Sequence, residues 1–420
     1  MPENRNQKED AIQILIDHQC PQCGAPATLK ETDRLFECGF CRVRSFLSQP
    51  NYFRYVLPAS GKSVQNDLIY FPYWRYRGMM YSCLAQDIHH QFVDFSYQAF
   101  PCDAFPSSVG LRSQALKLAF ATPDMPGHFI RPKDHGAGIG TILETRYNKT
   151  LPKPIFYQAY VGDVTSLIYA PFYMKQKLID AVLDRPVGLN QPEGFDPTGF
   201  SGGKTNAGIN FLPTLCPDCG RDLEGERSSL ALNCLNCQTV WHSAGMRLAK
   251  LKFGYIRDSL PTALYLPFWR IQASVSGIGL STYADLVRLA NLPKVIQPGW
   301  EDIEFRFWCP AFKIQPRTLM MLSRNLTLVQ PQNALISEHQ PGKRYPVTLP
   351  VNEAVKGIKI SLAGFLKPVE DYQPLLKDIE IRPIRYLLVY IPFEAGHHEW
   401  LNSTLHMAIQ KNQLALSGNL

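Results

Sequence analysis

Long apolar segments are missing from this sequence. Its 420 residues contain no uninterrupted apolar run of about 18 residues, which is the length that a transmembrane helix needs. The first ten residues are polar and have no apolar stretch of the signal-peptide kind. We therefore expect a protein without a membrane span or an export signal, located in the cytoplasm.

Catalytic motifs are also scarce. Residues 198–205, Thr-Gly-Phe-Ser-Gly-Gly-Lys-Thr, are similar to the phosphate-binding loop GxxxxGK[ST]. A threonine replaces the first glycine and no apolar strand precedes the stretch, so we interpret it as a flexible linker. No Ser-His-Asp set can be argued from the sequence. These absences favour a non-catalytic protein and leave an enzymatic role undecided.

Histidine is uncommon, with ten residues in the chain. Two groups stand together: Asp87-Ile88-His89-His90 with Asp94, and His397-His398-Glu399. Neither group has the i,i+4 spacing of the metalloprotease motif HExxH, and exposed turns are the simpler interpretation. An enzyme with its pocket in a cleft between the two halves of the chain would depend on these histidines alone.

No sign of charge dominates the sequence. It has 43 basic and 36 acidic residues, a formal net charge of +7 and a pI near 8.7. This mild excess is compatible with nucleic acid or an anionic membrane surface as a partner, but it requires neither. Thirty-three prolines and an aromatic content of 11% favour strands, turns and extended segments over helical bundles.

Cysteine, in contrast, is frequent and ordered. Eight of the eleven cysteines form two sets, each with two CxxC pairs separated by fourteen residues, and the second set lies 196 positions after the first. The sets are Cys20, Cys23, Cys38 and Cys41, and Cys216, Cys219, Cys234 and Cys237. Without an export signal, this pattern predicts metal binding rather than disulfides. Cys83, Cys102 and Cys309 are predicted to be buried free thiols.

Each set predicts one closed, structural metal site. Four thiolates on two tight turns converge on one ion at about 2.3 Å and leave no position open for water. Gly24 and Gly220 follow the second cysteine of a turn, where a positive φ is needed. Zinc is favoured, although four thiolates also suit iron, and we expect two structural Zn²⁺ ions. His242 could orient a thiolate, but Phe46 stands at the corresponding place in the first set.

The motifs Cys20-Pro21-Gln22-Cys23-Gly24 and Cys216-Pro217-Asp218-Cys219-Gly220 resemble those of the zinc-ribbon family. The resemblance covers about 17–47 and 213–243, and it implies the ribbon fold and the eight cysteine ligands, but no reaction. The whole chain resembles uncharacterised bacterial tandem zinc-ribbon proteins, some of which have transmembrane helices. This wider resemblance implies a bacterial protein and is compatible with peripheral association with a membrane-linked complex.

Landmarks beyond the cysteines also recur in order. Pro72 lies 31 residues after Cys41, and Pro267 lies 30 residues after Cys237. Residues 388–393, Leu-Val-Tyr-Ile-Pro-Phe, are similar to residues 167–172, Leu-Ile-Tyr-Ala-Pro-Phe. We therefore predict a tandem duplication with a first half, residues 1–205, and a second half, residues 206–420.

The predicted fold class is α+β and mostly antiparallel β, with each half made of a zinc ribbon followed by a β-rich domain. The predicted units are an N-terminal tail (1–16), the first ribbon (17–47), β-rich domain 1 (48–185), a Gly/Pro-rich linker (186–212), the second ribbon (213–243) and β-rich domain 2 (244–420). Short helices are expected within 111–120 and over 177–183.

Two functions remain open from the sequence. The first is a scaffold or adaptor that binds protein partners through the two similar halves. The second is nucleic-acid binding by the ribbons together with an Arg-aromatic surface formed by Trp74, Arg75, Arg77, Trp269 and Arg270, because arginine and aromatic side chains stack on bases. Aromatic residues at alternating strand positions are also typical of a protein core.

Overall fold

The computed structural model describes residues 14–49, 51–61, 68–133, 142, 147–149, 151–188, 196–204, 208–257 and 262–417. Strands make up 42% and helices 16% of the structure, and most strand pairs are antiparallel. The mostly antiparallel β character predicted from the sequence is therefore confirmed. The predicted tail, 1–16, lies outside the described residues except for 14–16.

The first half consists mainly of strands. Their bounds are β1 Leu15–Gln19, β2 Pro26–Lys30, β3 Leu35–Glu37, β4 Arg44–Ser48, β5 Phe53–Val56, β6 Ile69–Leu84, β7 Ile88–Gln98, β8 Leu118–Phe120, β9 His128–Phe129, β10 Ile155–Met174, β11 Leu178–Asp180 and β12 Arg185–Pro186. The short helix α1 is at Arg112–Ala115. Strands β6 and β10 form a long antiparallel pair at the centre of a ten-stranded sheet.

The second half adds helices to a similar set of strands. Its strands are β13 Asn210–Pro213, β14 Ala231–Cys234, β15 Thr239–Ala244, β16 Arg247–Leu251, β17 Phe253–Ile256, β18 Leu264–Ser276, β19 Phe307–Pro310, β20 Leu335–Ile336, β21 Lys343–Arg344, β22 Glu380–Ala395, β23 Glu399–Asn402 and β24 Met407–Gln410. Its α-helices are α2 Tyr283–Leu289, α3 Pro316–Val329, α4 Val351–Ala363, α5 Val369–Tyr372 and α6 Lys411–Leu416. Among the described residues, no helix has the length and apolarity needed to cross a bilayer.

The main sheets of the two halves share one pairing scheme. In the first, β10 pairs antiparallel with β6 and parallel with β5, which pairs antiparallel with β8. In the second, β22 pairs antiparallel with β18 and parallel with β17, which pairs antiparallel with β20. The β6–β10 pair has register shifts between Ile155 and Tyr157 and between Gly162 and Val164 in β10. The β18–β22 pair has one, opposite Gln272 and Ala273 of β18, and it corresponds to the second of these.

Pro72 and Pro267 occupy matching places in these sheets. Pro72 lies in β6 one residue before its pairing with β7 begins at Tyr73, and Pro267 lies in β18 one residue before its pairing with β19 begins at Phe268. A proline nitrogen has no hydrogen to donate to a ladder. Both prolines therefore lie at positions where the flanking strand requires no backbone N–H donor.

Of the two helices predicted from the sequence, the first is shorter than expected and the second is absent. Within 111–120 only Arg112–Ala115 is helical, and β8 begins at Leu118. The helix predicted over 177–183 is wrong, because β11 and a tight turn occupy these residues. The Asp180 carboxylate accepts hydrogen bonds from the backbone N–H of Val182 and Leu183, at 3.0 and 3.2 Å. Such local side-chain bonds compete with helix formation.

The two halves are joined by more than a linker. Strand β13, part of which was predicted as linker, pairs antiparallel with β4 of the first ribbon. A hydrophobic core also combines Tyr81 and Val161 of the first half with Leu362 of α4. Nearby, the Gly162 N–H donates a hydrogen bond of 2.7 Å to Glu353 Oε2. The described parts of both halves thus form a continuous body.

Candidate metal centres and charged surfaces

The first cysteine set converges at the end of two strand pairs. Strands β1 and β2 flank the turn with Cys20 and Cys23, while β3 and β4 flank the turn with Cys38 and Cys41. The Sγ atoms of Cys20 and Cys41 are 3.7 Å apart, as are those of Cys23 and Cys38. All four thiols lie within 4.8 Å of one another.

The second set has the same geometry. The Sγ atoms of Cys216 and Cys237 are 3.7 Å apart, and those of Cys219 and Cys234 are 3.6 Å apart. A tetrahedral ion with metal–sulfur bonds of about 2.3 Å places its sulfurs about 3.8 Å from one another. Both sets therefore fit one metal ion each, whereas a disulfide requires sulfurs about 2.05 Å apart. The geometry is consistent with two zinc ribbons.

Hydrogen bonds favour the thiolate form of one cysteine in each set. The N–H groups of Cys41 and Phe40 donate to Cys38 Sγ and lower the pKa of that thiol to about 6. In the second set, hydrogen bonds from the Cys237 side chain and the Arg221 N–H lower the pKa of Cys219 to about 6. The pKa of Cys41 is raised to about 12 by burial and the neighbouring thiols, against the lowering effect of the Val43 N–H, and the Cys219 side chain and burial raise that of Cys237. One thiol of each set is therefore readily deprotonated, and a metal that binds all four takes them as thiolates.

Each CxxC turn is called a knuckle here, and the glycines that follow the first knuckle of each set have the positive φ predicted from the sequence. Gly24 has φ of 73° and Gly220 has φ of 72°, and each donates its N–H to the carbonyl of the first cysteine of its turn, at 2.9 and 2.8 Å. This left-handed conformation is costly for residues with a Cβ. The glycines thus permit the close approach of each cysteine pair.

The two ribbons pack against each other. Leu35 and Phe46 of the first ribbon share a core with Leu223, Leu232 and Trp241 of the second. The carbonyl oxygen of Arg227 accepts hydrogen bonds from the N–H groups of Arg34 and Leu35, at 2.7 and 2.8 Å. Cys216 and Cys234 belong to the same core, so the second cysteine set lies directly beneath the surface on which the first ribbon packs.

The predicted Arg-aromatic surface requires a correction. Trp74, Arg75, Arg77 and Trp269 are buried, and Trp269 Nε1 donates to the carbonyl of Leu349 at 2.9 Å. Strand β6 is paired on both edges and covered on both faces, so its side chains cannot stack on bases. Of the five predicted residues, Arg270 alone is half-exposed.

Arg75 has a structural role instead. Its guanidinium bridges Glu31, in the turn after β2, and Asp94 of β7, with Arg75 Nη2 2.9 Å from Asp94 Oδ2. Glu31 Oε1 also accepts a 3.0 Å hydrogen bond from the Ser166 hydroxyl. Burial opposes the charged form of Arg75, but the two carboxylates outweigh it and raise its pKa. This buried network fastens the first ribbon to the central strands.

Arg270 lies in a different environment. Its guanidinium is 5.9 Å from the centre of the Trp308 ring. Burial, followed by the positive charges of Arg306 and Arg385, lowers its pKa. Arg306 and Arg385 both contact Glu304 Oε2, at 3.2 and 3.0 Å. The half-exposed arginine is therefore part of a mixed surface cluster.

The two histidine groups are not brought together in one pocket. His89 and His90 lie at the start of β7 and line a cavity between the halves, so the prediction of simple exposed turn residues is wrong for them. His397 and His398 lie between β22 and β23, outside that cavity, with ring centres 4.1 Å apart. His242 is half-buried in β15, and burial lowers its pKa. An active site combining both groups is not supported.

The remaining cysteines are mostly inert. Cys83 and Cys309 are buried, and burial raises the pKa of each thiol to about 12. Cys102 is half-buried. The prediction of buried free thiols is therefore confirmed for the first two, and their high pKa argues against a nucleophilic thiolate at either position.

Gly203, in the stretch 198–205 that is similar to a phosphate loop, is hydrogen-bonded to residues of the first half. The Gly203 N–H donates to the Phe129 carbonyl at 2.9 Å, and the Tyr169 hydroxyl donates to the Gly203 carbonyl at 2.9 Å. A Cβ on Gly203 would stand 2.1 Å from the Ile130 carbonyl oxygen, so glycine permits this close approach. The flexible-linker interpretation is not supported for residues 201–203, while 205–207 lie outside the described residues.

A basic groove beside the first ribbon was missed at the sequence level. It has a volume of about 1090 Å³ and is lined by Gly39, Trp400 and Tyr345, among others. Its seven basic residues are Lys30, Arg42, Arg44, Arg227, Lys313, Lys343 and Lys411, and its three acidic residues are Asp33, Glu37 and Glu226. These charged residues come from five separate parts of the chain, so no local charge run signals the groove.

A comparison of the chain with models of protein families, with curated proteins and with solved structures finds no match.

Proposed function

We propose that this chain is a non-catalytic, zinc-binding scaffold or adaptor that acts through protein–protein contacts. The observation that carries the proposal is the union of two closed four-thiolate sites with one continuous body. A site with four thiolates offers no open position for a substrate. Zinc fits such sites without redox chemistry, and reduced thiols agree with a cytoplasmic location.

The same proposal includes an origin by tandem duplication. The shared strand pairing of the two sheets and the matching register shifts in β10 and β22 support it, beyond the recurrence of the cysteines. Two related surfaces on one body suit a protein that holds two partners, or two copies of one partner.

Apolar side chains at the second knuckle of each ribbon are candidate contact points. Phe40 is 73% exposed and Leu235 is 40% exposed. Exposed apolar side chains on rigid turns gain free energy when a partner covers them. The backbone of each knuckle is held by its cysteine pair, so little conformational entropy is lost on binding.

The double substitution Phe40→Ser and Leu235→Ser tests this role. We expect the wild-type protein to co-purify with a partner protein from native lysate at physiological salt, and the double variant to lose at least about 90% of it, because each truncation removes about 1–3 kcal/mol of apolar contact. Zinc content and thermal stability should stay unchanged. Leu111→Ser is the control, since Leu111 is 74% exposed outside the ribbons.

A wild-type protein that runs alone would count against the scaffold proposal. If the double variant recovered as much partner protein as the wild type does, Phe40 and Leu235 would not be the contact points.

The basic groove favours nucleic-acid binding as the second candidate function. Among the described residues, Lys30, Arg42 and Lys343 have no carboxylate within 4.0 Å, so their charges are available to phosphates. Lys411 Nζ lies 5.4 Å from the centre of the Trp400 ring, and aromatic rings in basic grooves stack on unpaired bases.

Substitution of Arg42 and Lys343 by Gln tests this second candidate. If single-stranded DNA binds in the groove, removal of two phosphate contacts should make the slope of log K against log salt shallower by about 1.4. Fluorescence anisotropy with a labelled oligonucleotide at several salt concentrations measures the slope. Lys177→Gln, an exposed lysine outside the groove, should leave it unchanged. Absence of binding at low salt would remove this function.

A further inference from the structure

A cavity of about 530 Å³ lies at the junction between the halves. One wall is the β6–β7 turn of the first half, with His89 and His90. The other walls are α3 and the segment that links α4 to α5, which contains Lys367. The site therefore requires both halves and is separate from the metal centres and from the basic groove.

The cavity carries an excess of positive charge. Arg317 and Arg324 line it from α3, and Lys367 lines it from the opposite wall. Among the described lining residues, Asp87 is the one acidic residue. In the part of the chain that the structure describes, no carboxylate lies within 4.0 Å of the Arg317, Arg324 or Lys367 side chains. All three side chains are exposed to solvent where they line the cavity, so an anion that enters it meets positive charge from two walls.

The spacing on α3 directs both arginines to one side. Positions 317, 321 and 324 recur at intervals of four and three residues, and such positions lie on one face of a helix. Met321 thus stands between Arg317 and Arg324, and Met320 also lines the cavity. Methionine side chains adapt to apolar groups of varied shape. The cavity therefore offers cations beside an apolar surface.

His90 responds to the same charges. Burial lowers its pKa, and the nearby positive charge of Arg317 and the His89 ring lower it further, while Asp87 acts in the opposite direction. A bound anion would favour the imidazolium form and raise this pKa. The protonated ring, with both nitrogens carrying hydrogen, can then donate a hydrogen bond to the anion.

We propose that this cavity binds a small organic phosphate, with the phosphate group between Arg317, Arg324 and Lys367 and an apolar group against Met320 and Met321. The number of cations exceeds what one carboxylate would neutralise, and arginine matches the oxygens of a phosphate in paired hydrogen bonds. Cys83 also lines the cavity, but its thiol has a pKa raised to about 12 by burial. The site binds its ligand without attacking it.

Isothermal titration calorimetry of the full-length, zinc-loaded protein with phenyl phosphate and with inorganic phosphate tests the proposal. We expect one phenyl phosphate per chain, bound more tightly than inorganic phosphate because of the methionines. Arg324→Gln and Arg317→Gln should each weaken binding at least about tenfold, since each removes charge-assisted hydrogen bonds. Arg382→Gln, an exposed arginine outside the cavity, should bind as the wild type does.

A second readout separates binding in the cavity from binding elsewhere. The NMR titration of His90 should shift to higher pH when phenyl phosphate is bound, and Arg324→Lys should retain more affinity than Arg324→Gln. The proposal is overturned by lack of saturable binding up to about 10 mM, by equal affinity in the arginine variants, or by an unshifted His90. None of these results bears on the scaffold proposal, because Phe40 and Leu235, on which that proposal is tested, do not line the cavity.

Discussion

Replacement of Cys20 and Cys23 by serine is expected to remove one metal ion per chain and to unfold the first ribbon together with the edge of the ten-stranded sheet. Strand β1 enters the first ribbon and also pairs with β8 of that sheet. Cys20 and Cys38 are buried in the same core as Phe71 and Phe172. Loss of the ion therefore disturbs a core much larger than the ribbon.

The expected effect is large because metal binding and folding are coupled. Structural zinc contributes an apparent binding free energy of about 10 kcal/mol or more in small ribbons and fingers, and the sites here support adjoining cores. Metal analysis should give one ion instead of two, and circular dichroism should show a lower melting temperature with a broadened transition. Cys102→Ser, at a half-buried cysteine outside both sets, should retain both ions. A double variant with wild-type stability would show that the first site does not stabilise the fold.

Substitution of Arg75 by methionine should cost about 3–5 kcal/mol of unfolding free energy, because it leaves the buried Glu31 carboxylate and the neighbouring Asp94 without their counter-ion. Methionine keeps most of the side-chain length, so the loss of packing is small. Urea denaturation monitored by tryptophan fluorescence measures the change.

The Arg75 prediction has an internal rescue. Glu31→Gln in the Arg75→Met background should recover part of the loss, since it removes the uncompensated charge. Arg385→Met is the control at an exposed ion pair, where the expected cost is at most about 1 kcal/mol. A loss at Arg75 no larger than at Arg385 would contradict the assigned role in fastening the ribbon to the sheet.

The metal sites could be predicted from the sequence because the residues that indicate them lie close together in the chain. The CxxC spacing fixes which cysteines face one another, and Gly24 and Gly220 mark the turns that allow it. The alternating residues of β7 and the apolar run in β10 likewise predict strands, since the side-chain period of a strand is two. These signals require no knowledge of distant parts of the chain.

The burial of Trp74 and Arg75, in contrast, could not be predicted from the sequence. Alternation shows that a strand has two faces, but not which faces other elements cover. The partner of Arg75 is Glu31, 44 positions away, and β13 pairs with β4, which lies more than 160 positions away in the sequence.

The helix predicted over 177–183 is wrong because a short apolar run fits the periodicity of a helix and that of a strand equally well. The hydrogen bonds of the Asp180 carboxylate favour the observed turn.

The junction between the halves depends entirely on such distant contacts. His89 and His90 look like exposed turn residues in isolation, yet α3 approaches them across more than 220 positions and encloses a cavity. The seven basic residues of the groove are separated in the same manner. The cavity and the groove are thus visible in the tertiary structure and not in any sequence motif.

The metal content of the purified full-length protein tests the central claim most directly. Native mass spectrometry, combined with elemental analysis, should find two zinc ions per chain, and denaturation should release both. Two four-thiolate sites in one folded body require that number. A folded protein with one ion, with none, or with iron in place of zinc would contradict the account of two structural zinc centres.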